Sequence, residues 1–346
     1  MNRPVLGITM GDPAGIGPEI AAKALAQPDV RERARAFVIG DARVMTAAAQ
    51  VSHLGQTIRA IARASEAAFA PDRIDVLDLR NADPSAFAIG RVSALCGRAA
   101  YEYIERGVRL AQEGAVAGIV TAPVNKEALA AAGVRHSGHT EILAELTDTK
   151  AYAMLLMGRE LRVIHVTTHV ALRRVPDLVT RERVARTIRL GHQAMRDLGL
   201  SHPRVAVCGL NPHAGESGLF GDEEQVVIAP AIADARAEGI DASGPYPADT
   251  LMSRAAGGEF DCVVAMFHDQ GHTPVKALGF RYDETKKAWT GLSGVNVTVG
   301  LPILRVSVDH GTAFDRAGHG TANPESMVEA ILVAADMARS REARGR

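Results

Sequence analysis

Eight short apolar runs alternate with longer segments of helical periodicity along the chain, and this alternation most strongly constrains its fold. The apolar runs are continuous, which is typical of strands that are covered on both faces. Strands that alternate with helices on this scale predict an α/β fold built on mostly parallel sheets. The predicted strands are 5–10, 35–40, 74–79, 118–123, 161–168, 204–210, 262–268 and 303–309.

The segments between the strands are long enough for amphipathic helices. In one of them Thr180 is placed to cap the first turn, and Gly199 is placed to end the last turn. The polar stretch 281–294 interrupts the alternation and predicts an exposed loop or hairpin. A chain of 346 residues suggests two domains or two lobes, at about 100–200 residues per domain. The longest predicted helices are 93–113, 180–199, 223–239 and 323–342.

The overall charge and the apolar patterning exclude several classes of partner. The chain has 39 Lys and Arg against 40 Asp and Glu, so no global field favours nucleic acid or an anionic membrane. No run of apolar residues is long enough to span a bilayer, and the first apolar stretch is too short for a signal peptide. We therefore expect a cytoplasmic protein. Three scattered cysteines predict reduced, buried thiols instead of disulfides: Cys96, Cys208 and Cys262.

Four of the 12 histidines stand just past a predicted strand or at a helix start. A single histidine in such a place is more often a hydrogen-bonding loop residue than a metal ligand. Several at the ends of different strands favour one shared site. Three neutral imidazoles suit Zn²⁺, Co²⁺, Ni²⁺ or Mn²⁺ and leave open coordination positions for substrate oxygens. The four histidines are His139, His169, His213 and His268.

Basic residues inside apolar or Gly-rich runs form a second candidate group. Lys276 and Arg305 interrupt segments that otherwise favour burial, and Asn296 lies between them. Their side chains either reach to the surface or donate hydrogen bonds to a phosphate or carboxylate. His139 and Thr140 open a predicted helix, whose N-terminus would add further donors for an anion.

Two Gly-rich segments have less specific signals. The segment GDPAGIGPE (11–19) fits neither the P-loop nor the dinucleotide-binding fingerprint, so a tight strand-to-helix connection is an equally good interpretation. The polar segment 309–326 is either an ordinary long loop or a functional one, since loops of this length often carry function.

Several motifs resemble those of the 4-hydroxythreonine-4-phosphate dehydrogenase family, whose founding member acts in vitamin B6 synthesis. The resemblance runs nearly from end to end and keeps the family's order of motifs. The matching segments are TMGDPAGIGPEI, VTAPVNKEAL, SGHTE, TTH, NPHAGE, AMFHDQG, GVNVTVGLP and SVDHGTA.

The resemblance implies a two-lobed α/β/α fold like that of isocitrate and isopropylmalate dehydrogenases. It implies an NAD-binding lobe of residues 1–130 plus 275–346 and a metal, substrate and dimerisation lobe of residues 131–274, with a cleft between them. It also implies a homodimer whose metal site is shared across the interface. The cofactors would be NAD and a divalent metal (Zn, Co, Ni, Mn or Mg).

Residue by residue, the resemblance places a metal on His169, His213 and His268, the last of which would face the partner's site. Substrate contacts would fall on five residues: His139, Thr140, Lys276, Asn296 and Arg305. The loop 309–323 resembles the adenine-binding loop of isocitrate dehydrogenases, which would explain the missing dinucleotide fingerprint. Its predicted cofactor contacts are Asp309, His310, Gly311, Thr312, Ala313 and Asn323.

The implied reaction is oxidation of a phosphorylated hydroxy acid to a β-keto acid, which then loses CO₂. A metal would act as a Lewis acid on the substrate hydroxyl. We expect Asp249 to be the general base and Lys276 to take part in catalysis, while Asp269 is placed to support its neighbouring ligand.

Two departures from the vitamin B6 branch bear on the substrate. His272 stands where that branch has an apolar residue, and the 281–294 link is longer here. Both favour the catabolic branch, which oxidises 4-phospho-D-threonate or 4-phospho-D-erythronate, over 4-hydroxythreonine 4-phosphate. A cis-dihydrodiol dicarboxylate dehydrogenase is a further alternative. A phosphate acyltransferase and a non-catalytic binding protein are the alternatives from other classes.

Overall fold

The computed structural model describes residues 3–136, 138–158, 160–279, 281–285, 288–290 and 294–345. The chain forms two compact units. The first contains Met1–Lys150 and Leu301–Arg346, and the second contains Ala151–Gly300. Both ends of the chain therefore belong to the same unit.

The strands of the described residues are short and mostly buried. In chain order they are β1 Val5–Thr9, β2 Arg35–Gly40, β3 Thr57–Ile61, β4 Arg73–Asp78, β5 Gly118–Thr121, β6 Ala153–Met157, β7 Arg162–His165, β8 Val205–Cys208, β9 Ala242–Tyr246, β10 Cys262–Ala265, β11 Arg281–Asp283, β12 Ala288–Thr290, β13 Val295–Val299 and β14 Arg305–Val308.

The helices lie between the strands, as the alternating pattern predicts. In chain order they are α1 Gly17–Ala26, α2 Pro28–Arg33, α3 Ala42–Val51, α4 Ala94–Gln112, α5 Lys126–Ala131, α6 His139–Leu146, α7 Val175–Leu178, α8 Arg181–Asp197, α9 Ala229–Ala237, α10 Ala248–Ala256, α11 His268–Gly279 and α12 Glu325–Ala343.

The first unit is built on a parallel sheet in the order β3-β4-β2-β1-β5-β14. Helix α4 packs on β1, β2 and β5, and α12 packs on β1, β5 and β14. Every residue of β5 and β14 is buried, which requires cover on both faces of the sheet. The carboxyl ends of β1, β5 and β14 lie side by side, so the loops that follow them meet at one edge.

The second unit has a sheet in the order β13-β6-β7-β10-β8-β9. Strand β6 is antiparallel to both of its neighbours, while β7, β10, β8 and β9 are parallel to one another. Helix α8 packs on β7, β8 and β10, and α11 packs on β7 and β10. The expected α/β fold with mostly parallel sheets is confirmed.

The unit boundaries lie later in the chain than the predicted lobe boundaries at 130–131 and 274–275. Helix α6 packs on α4, which ties the segment up to Lys150 to the first unit. Strand β13 pairs along its whole length with β6, which ties the segment up to Gly300 to the second unit. The functional assignment of each lobe stays a prediction.

Four strands of these two sheets were absent from the predicted set, for two different reasons. Strands β3 and β9 lie at the edges of the sheets, and only one of the five residues in each is buried, so neither forms a continuous apolar run. Strands β6 and β13 are apolar, but their antiparallel pairing departs from the simple alternation of strand and helix. The predicted loop or hairpin at 281–294 contains the antiparallel pair β11–β12, although residues 286–287 and 291–293 lie outside the described part.

Several local predictions are confirmed. The Thr180 side chain accepts a hydrogen bond from the Arg183 amide at 3.3 Å and caps α8, and Gly199 has a positive φ just past its end. The three cysteines are buried and unpaired. Among the described residues, no helix combines the length and the apolar character needed to cross a bilayer.

The contact between α4 and α5 depends on a glycine. A Cβ atom placed on Gly97 would lie 2.0 Å from the carbonyl oxygen of Ala128, far inside van der Waals contact. Because the obstructing atom belongs to the backbone, a side chain at this position forces the two helices apart.

We expect Gly97→Ala to lower the free energy of unfolding by about 1–3 kcal/mol, the usual cost of overpacking. This loss outweighs the gain of about 1 kcal/mol in helix propensity. Urea unfolding measures the change. The matched control is Gly55→Ala, where an added Cβ meets nothing within 4 Å. Equal unfolding midpoints for the two variants would contradict the prediction.

Candidate functional site

Four predicted site residues lie at one edge of the second unit. His169 follows β7, His268 follows β10, His213 follows β8 and Asp249 follows β9. These strands are adjacent and parallel, so their carboxyl ends share an edge. Ligand sites of α/β proteins gather at such an edge. The sheet therefore brings three predicted metal ligands and the predicted base to the same edge.

His169 and His268 line one cavity of about 340 Å³, and their ring centroids are 5.7 Å apart. Two imidazoles that bind one Zn²⁺ at about 2.0–2.1 Å have centroids roughly 5–6 Å apart. The pair therefore has a spacing that suits a shared ion. The other lining residues are Thr168, Val170, Leu172, Val175, Phe267 and Asp269.

A carboxylate orients the His268 ring. The Nδ1 atom of His268 lies 2.7 Å from Oδ1 of Asp269. Since a carboxylate accepts, Nδ1 donates, and in the neutral ring Nε2 is then the nitrogen with the free electron pair. A histidine held in this way by a carboxylate is the common arrangement at metal centres. The contact supports the predicted role of Asp269.

His213 lies in a strained loop. His213, Ala214, Glu216 and Ser217 all have φ between 42° and 58°, a region that non-glycine residues rarely occupy. Buried Glu224 holds the start of this loop, because its Oε1 accepts from the amides of Leu210 and Asn211 at 2.7 and 2.8 Å. Strain of this kind persists only where surrounding contacts enforce it, and it concentrates at functional sites.

The chemistry of these donors fits a divalent transition metal, but the fit within one chain is incomplete. Across the ranges that the structure describes, no three His, Cys, Asp or Glu side chains stand close enough together to hold an ion. His169 and His268 form a pair, and His213 shares their edge without completing a group of three.

Two further histidines, His165 and His272, lie behind this pair. His272 stacks on His268 with centroids 3.7 Å apart and planes 10° apart, and its Nδ1 lies 3.1 Å from Nε2 of His165. Both His165 and His272 are buried. Burial, together with the neighbouring charge of His272, lowers the pKa of His165 to about 3. From the sequence alone, His165 is recognisable only as a histidine inside the apolar run of β7.

The two predicted substrate contacts of this unit, Lys276 and Asn296, lie within α11 and β13. Lys276 is exposed on α11, one turn beyond His272 on the same side of the helix. Asn296 is partly buried on β13, opposite Leu156. Asp249 is exposed in the first turn of α10, where its Oδ1 accepts from the Thr250 amide at 2.9 Å. Their catalytic and substrate roles stay predictions.

In the first unit, Arg305 is a buried cation. Its side chain is held at the edge of β14 by the Thr121 hydroxyl, which accepts from Nε at 3.2 Å and from an Nη at 2.7 Å. Only 4% of the residue is exposed, and burial lowers the pKa of the guanidinium to about 9. A cation in such surroundings is stabilised by an anionic ligand.

His139 lies beside this cation at the start of α6. Its ring is hydrogen-bonded to the Ala122 backbone, and its buried Nε2 has no hydrogen-bond partner within the described ranges of the chain. Burial, and then the charge of Arg305, hold the pKa of His139 well below its usual range, so the ring is neutral. A carbonyl on Nδ1 leaves Nε2 as an acceptor, suited to a ligand hydroxyl. Thr140 follows it in the first turn and is half-buried.

The predicted cofactor loop lies against the Gly-rich segment 11–19, which gives that segment a structural role. The Ile16 amide donates to the Thr312 carbonyl at 3.0 Å, and Glu19 accepts from the Gly318 amide at 2.6 Å. Lys23 donates to the carbonyls of Gly320 and Ala322 at 2.6 and 2.8 Å. The segment that follows β1, together with helix α1, therefore positions the loop that follows β14.

Within that loop, Thr312 is buried and Ala313 has a φ of 42°. His310 is half-buried, and burial lowers the pKa of its ring. Asp309 is half-buried and Gly311 is exposed. The Asn323 side chain accepts from the Glu325 amide at 2.9 Å, which starts α12. Asn323 therefore has a structural role whether or not it contacts a cofactor.

Asp12 was not predicted as a candidate. Only 1% of it is exposed, its Oδ1 accepts from the Ala14 amide at 2.9 Å, and burial raises its pKa to about 6. From the sequence alone, Asp12 is recognisable only as a carboxylate that follows an apolar strand.

Comparison with known proteins is consistent with a dehydrogenase. The family model described as "Pyridoxal phosphate biosynthetic protein PdxA" matches residues 32–334. A D-threonate 4-phosphate dehydrogenase of Cupriavidus necator is 49% identical over 98% of this chain and 98% of its own. A crystal structure of a 4-hydroxythreonine-4-phosphate dehydrogenase from Burkholderia phymatum is 47% identical, with a TM-score of 0.84 over 97% and 99% of the two chains.

A more distant solved structure is a terephthalate 1,2-cis-dihydrodiol dehydrogenase from Burkholderia xenovorans. It is 31% identical, with a TM-score of 0.69 over 97% of this chain and 98% of that one. The fold and these relatives define an enzyme of the oxidoreductase class. The chain belongs to the PdxA family. The predicted family is thereby confirmed.

Proposed function

We propose that this chain is a dehydrogenase of D-threonate 4-phosphate that uses NAD and a divalent metal. The carrying observation is the near-complete alignment with a relative of that name at 49% identity. The buried cation Arg305, with the neutral acceptor His139 beside it, supports an anionic hydroxy-acid substrate. The 4-hydroxythreonine 4-phosphate activity named for the Burkholderia phymatum structure is the second candidate.

The reaction would take a hydride from C3 of the substrate to the nicotinamide and a proton from the C3 hydroxyl to a base. The C1–C2 bond of the resulting 3-keto acid would then break, which releases CO₂ and leaves an enolate that takes a proton at C2 from water or a protonated side chain. A divalent metal on His169, His213 and His268 would supply a Lewis acid that lowers the pKa of the substrate hydroxyl. Asp249 stays our candidate for the base.

Arg305 would bind the phosphate or the carboxylate through its guanidinium. His139 would accept a hydrogen bond from a substrate hydroxyl at Nε2, and Thr140 would donate at the start of α6. Lys276 and Asn296 of the second unit stay candidate substrate contacts. The loop 309–323, held by Glu19 and Lys23, would bind the adenine end of NAD.

We further propose a homodimer in which the metal site is completed by the partner. Among the described residues His169 and His268 form a pair that no third metal-binding side chain joins, which supports this assembly. Apolar side chains are exposed directly beside the predicted ligands, with Leu172 68% exposed and Leu219 72% exposed. Val170 and Phe220 are exposed next to them. Large exposed apolar patches are rare on monomeric proteins and often mark protein interfaces.

The substrate assignment is tested by NADH formation from D-threonate 4-phosphate, D-erythronate 4-phosphate and 4-hydroxythreonine 4-phosphate. We expect kcat/KM for D-threonate 4-phosphate to exceed that for 4-hydroxythreonine 4-phosphate by about tenfold or more, a difference of about 1.4 kcal/mol. EDTA should abolish the signal, and added Zn²⁺ or Co²⁺ should restore it. A preference for the third substrate would favour the second candidate function. NADH formation from none of them would contradict both.

A second prediction concerns the pH dependence of substrate capture. Because burial lowers the pKa of Arg305 to about 9, the free enzyme keeps the cation below that pH and loses it above. We therefore expect kcat/KM for the anionic substrate to fall as the pH rises through about 9. Arg305→Met should lower kcat/KM at pH 7 by about 30-fold or more and should remove that part of the profile. A variant with an unchanged profile would contradict the assignment.

A third prediction concerns assembly. We expect Phe220→Glu to shift the protein from dimer to monomer in light scattering, because a charge would be buried in the interface. The metal affinity of this variant should also fall, because the partner would no longer complete the metal site. The control is Ile89→Glu, since Ile89 is 53% exposed in the first unit. A dimer that tolerates Phe220→Glu would exclude this face as the interface.

A further inference from the structure

The residues behind the predicted ligand His268 form a chain of ring contacts. His272 stacks on His268, and its Nδ1 lies 3.1 Å from Nε2 of His165. The Nδ1 atom of His165 lies 3.2 Å from the Met154 carbonyl on β6. One continuous path of contacts therefore runs from the backbone of β6 to the face of the His268 imidazole.

Hydrogen bonding assigns the tautomer of each ring in this path. A carbonyl only accepts, so His165 donates from Nδ1 to Met154, and the neutral ring then has an electron pair on Nε2. His272 must donate from Nδ1 to that Nε2. The His268 carbonyl, 3.3 Å from the same Nδ1, is a second acceptor for this donor. The order of donors and acceptors is consistent throughout the path.

The stacking geometry shows that His272 and His268 do not bind the same ion. Imidazole nitrogens bind a metal in the plane of their ring. The two planes are nearly parallel, at 10°, and the ring centroids are 3.7 Å apart. In-plane electron pairs of stacked rings run side by side and do not converge. His272 therefore acts on His268 through the face of the ring and not as a partner ligand.

Gly271, next to His272, leaves room for this arrangement because it has no side chain. A Cβ on Gly271 would lie 2.4 Å from Nε2 of His165, so a side chain there would displace His165 from its hydrogen bond. His165 and His272 are both buried, at 2% and 6% exposure. Buried polar groups with this much mutual dependence restrict each other's orientation.

We propose that His165 and His272 are positioning residues that fix the orientation of the His268 ring. His165 holds His272 by its hydrogen bond, and His272 holds one face of His268, while Asp269 holds its edge. This inference rests on the proposed metal-binding role of His268. Loss of an outer partner of a metal-binding histidine usually weakens metal affinity by about 10–100-fold.

The test is the Co²⁺ affinity of the metal-free full-length protein, measured by competition with a chelator, together with the visible spectrum of the Co²⁺ complex. We expect His272→Ala, which removes both the stack and the hydrogen bond, to weaken affinity about 10-fold or more and to change the spectrum. His272→Phe keeps an aromatic stack and should retain more affinity than His272→Ala. His165→Leu removes only the hydrogen bond and should give an intermediate loss.

Two controls separate the possible outcomes. His192→Leu changes a half-buried histidine of the same unit outside this path and should leave the Co²⁺ affinity unchanged. His268→Ala tests the proposed function itself. If His268→Ala weakens Co²⁺ binding but folded His272→Ala and His165→Leu do not, the positioning role is overturned alone. If His268→Ala has no effect, the metal role of His268 and the positioning role are both overturned. Thermal unfolding identifies variants that fail to fold. If His272→Ala does not fold, the folded His272→Phe variant takes its place. Where His268→Ala weakens Co²⁺ binding, a loss of affinity in His272→Phe supports the positioning role and an unchanged affinity overturns it.

Discussion

The parallel pairing of β7, β10, β8 and β9 is the constraint on which the candidate metal site depends. Parallel strands end at the same edge, so each loop that follows a strand begins within one strand spacing, about 4.8 Å, of the next. Side chains far apart in sequence thereby become neighbours without any contact specific to them. His169 and His268 are separated by most of the second unit, yet their rings face one cavity.

Backbone placement alone does not orient a side chain, and each unit adds buried polar contacts for that purpose. In the second unit Glu224 binds two amides at the start of the His213 loop and enforces its left-handed backbone. In the first unit Glu19 and Lys23 bind the loop that follows β14. The hydrogen bonds join segments distant in sequence. Each loop is consequently anchored by side chains that need not touch a ligand.

The sequence was informative wherever the signal was local. Continuous apolar runs located the parallel strands other than the edge strands β3 and β9, and the spacing of Thr180 from the first turn of α8 located its cap. Histidines placed after strands indicated the edge at which they meet, because parallel pairing follows from the alternation of strands and helices. Strand β9 carries Gly and Pro and has little apolar character, so its presence depends on pairing with β8, which local patterning does not encode. The path from His165 to His272 joins residues 107 positions apart, and Glu224 appeared only as part of a helical segment.

Burial leaves the buried histidines neutral but the buried arginine charged. His165 and His139 are both held neutral by burial, and each then presents one nitrogen as an acceptor. Arg305 is also buried, yet at neutral pH it stays charged, because its pKa starts so high that a drop to about 9 still leaves it protonated. A neutral imidazole suits a metal or a hydroxyl, whereas a buried guanidinium suits an anion. Desolvation therefore produces two kinds of binding group from residues that are both cations at low pH, and the near-zero net charge of the whole chain reveals neither.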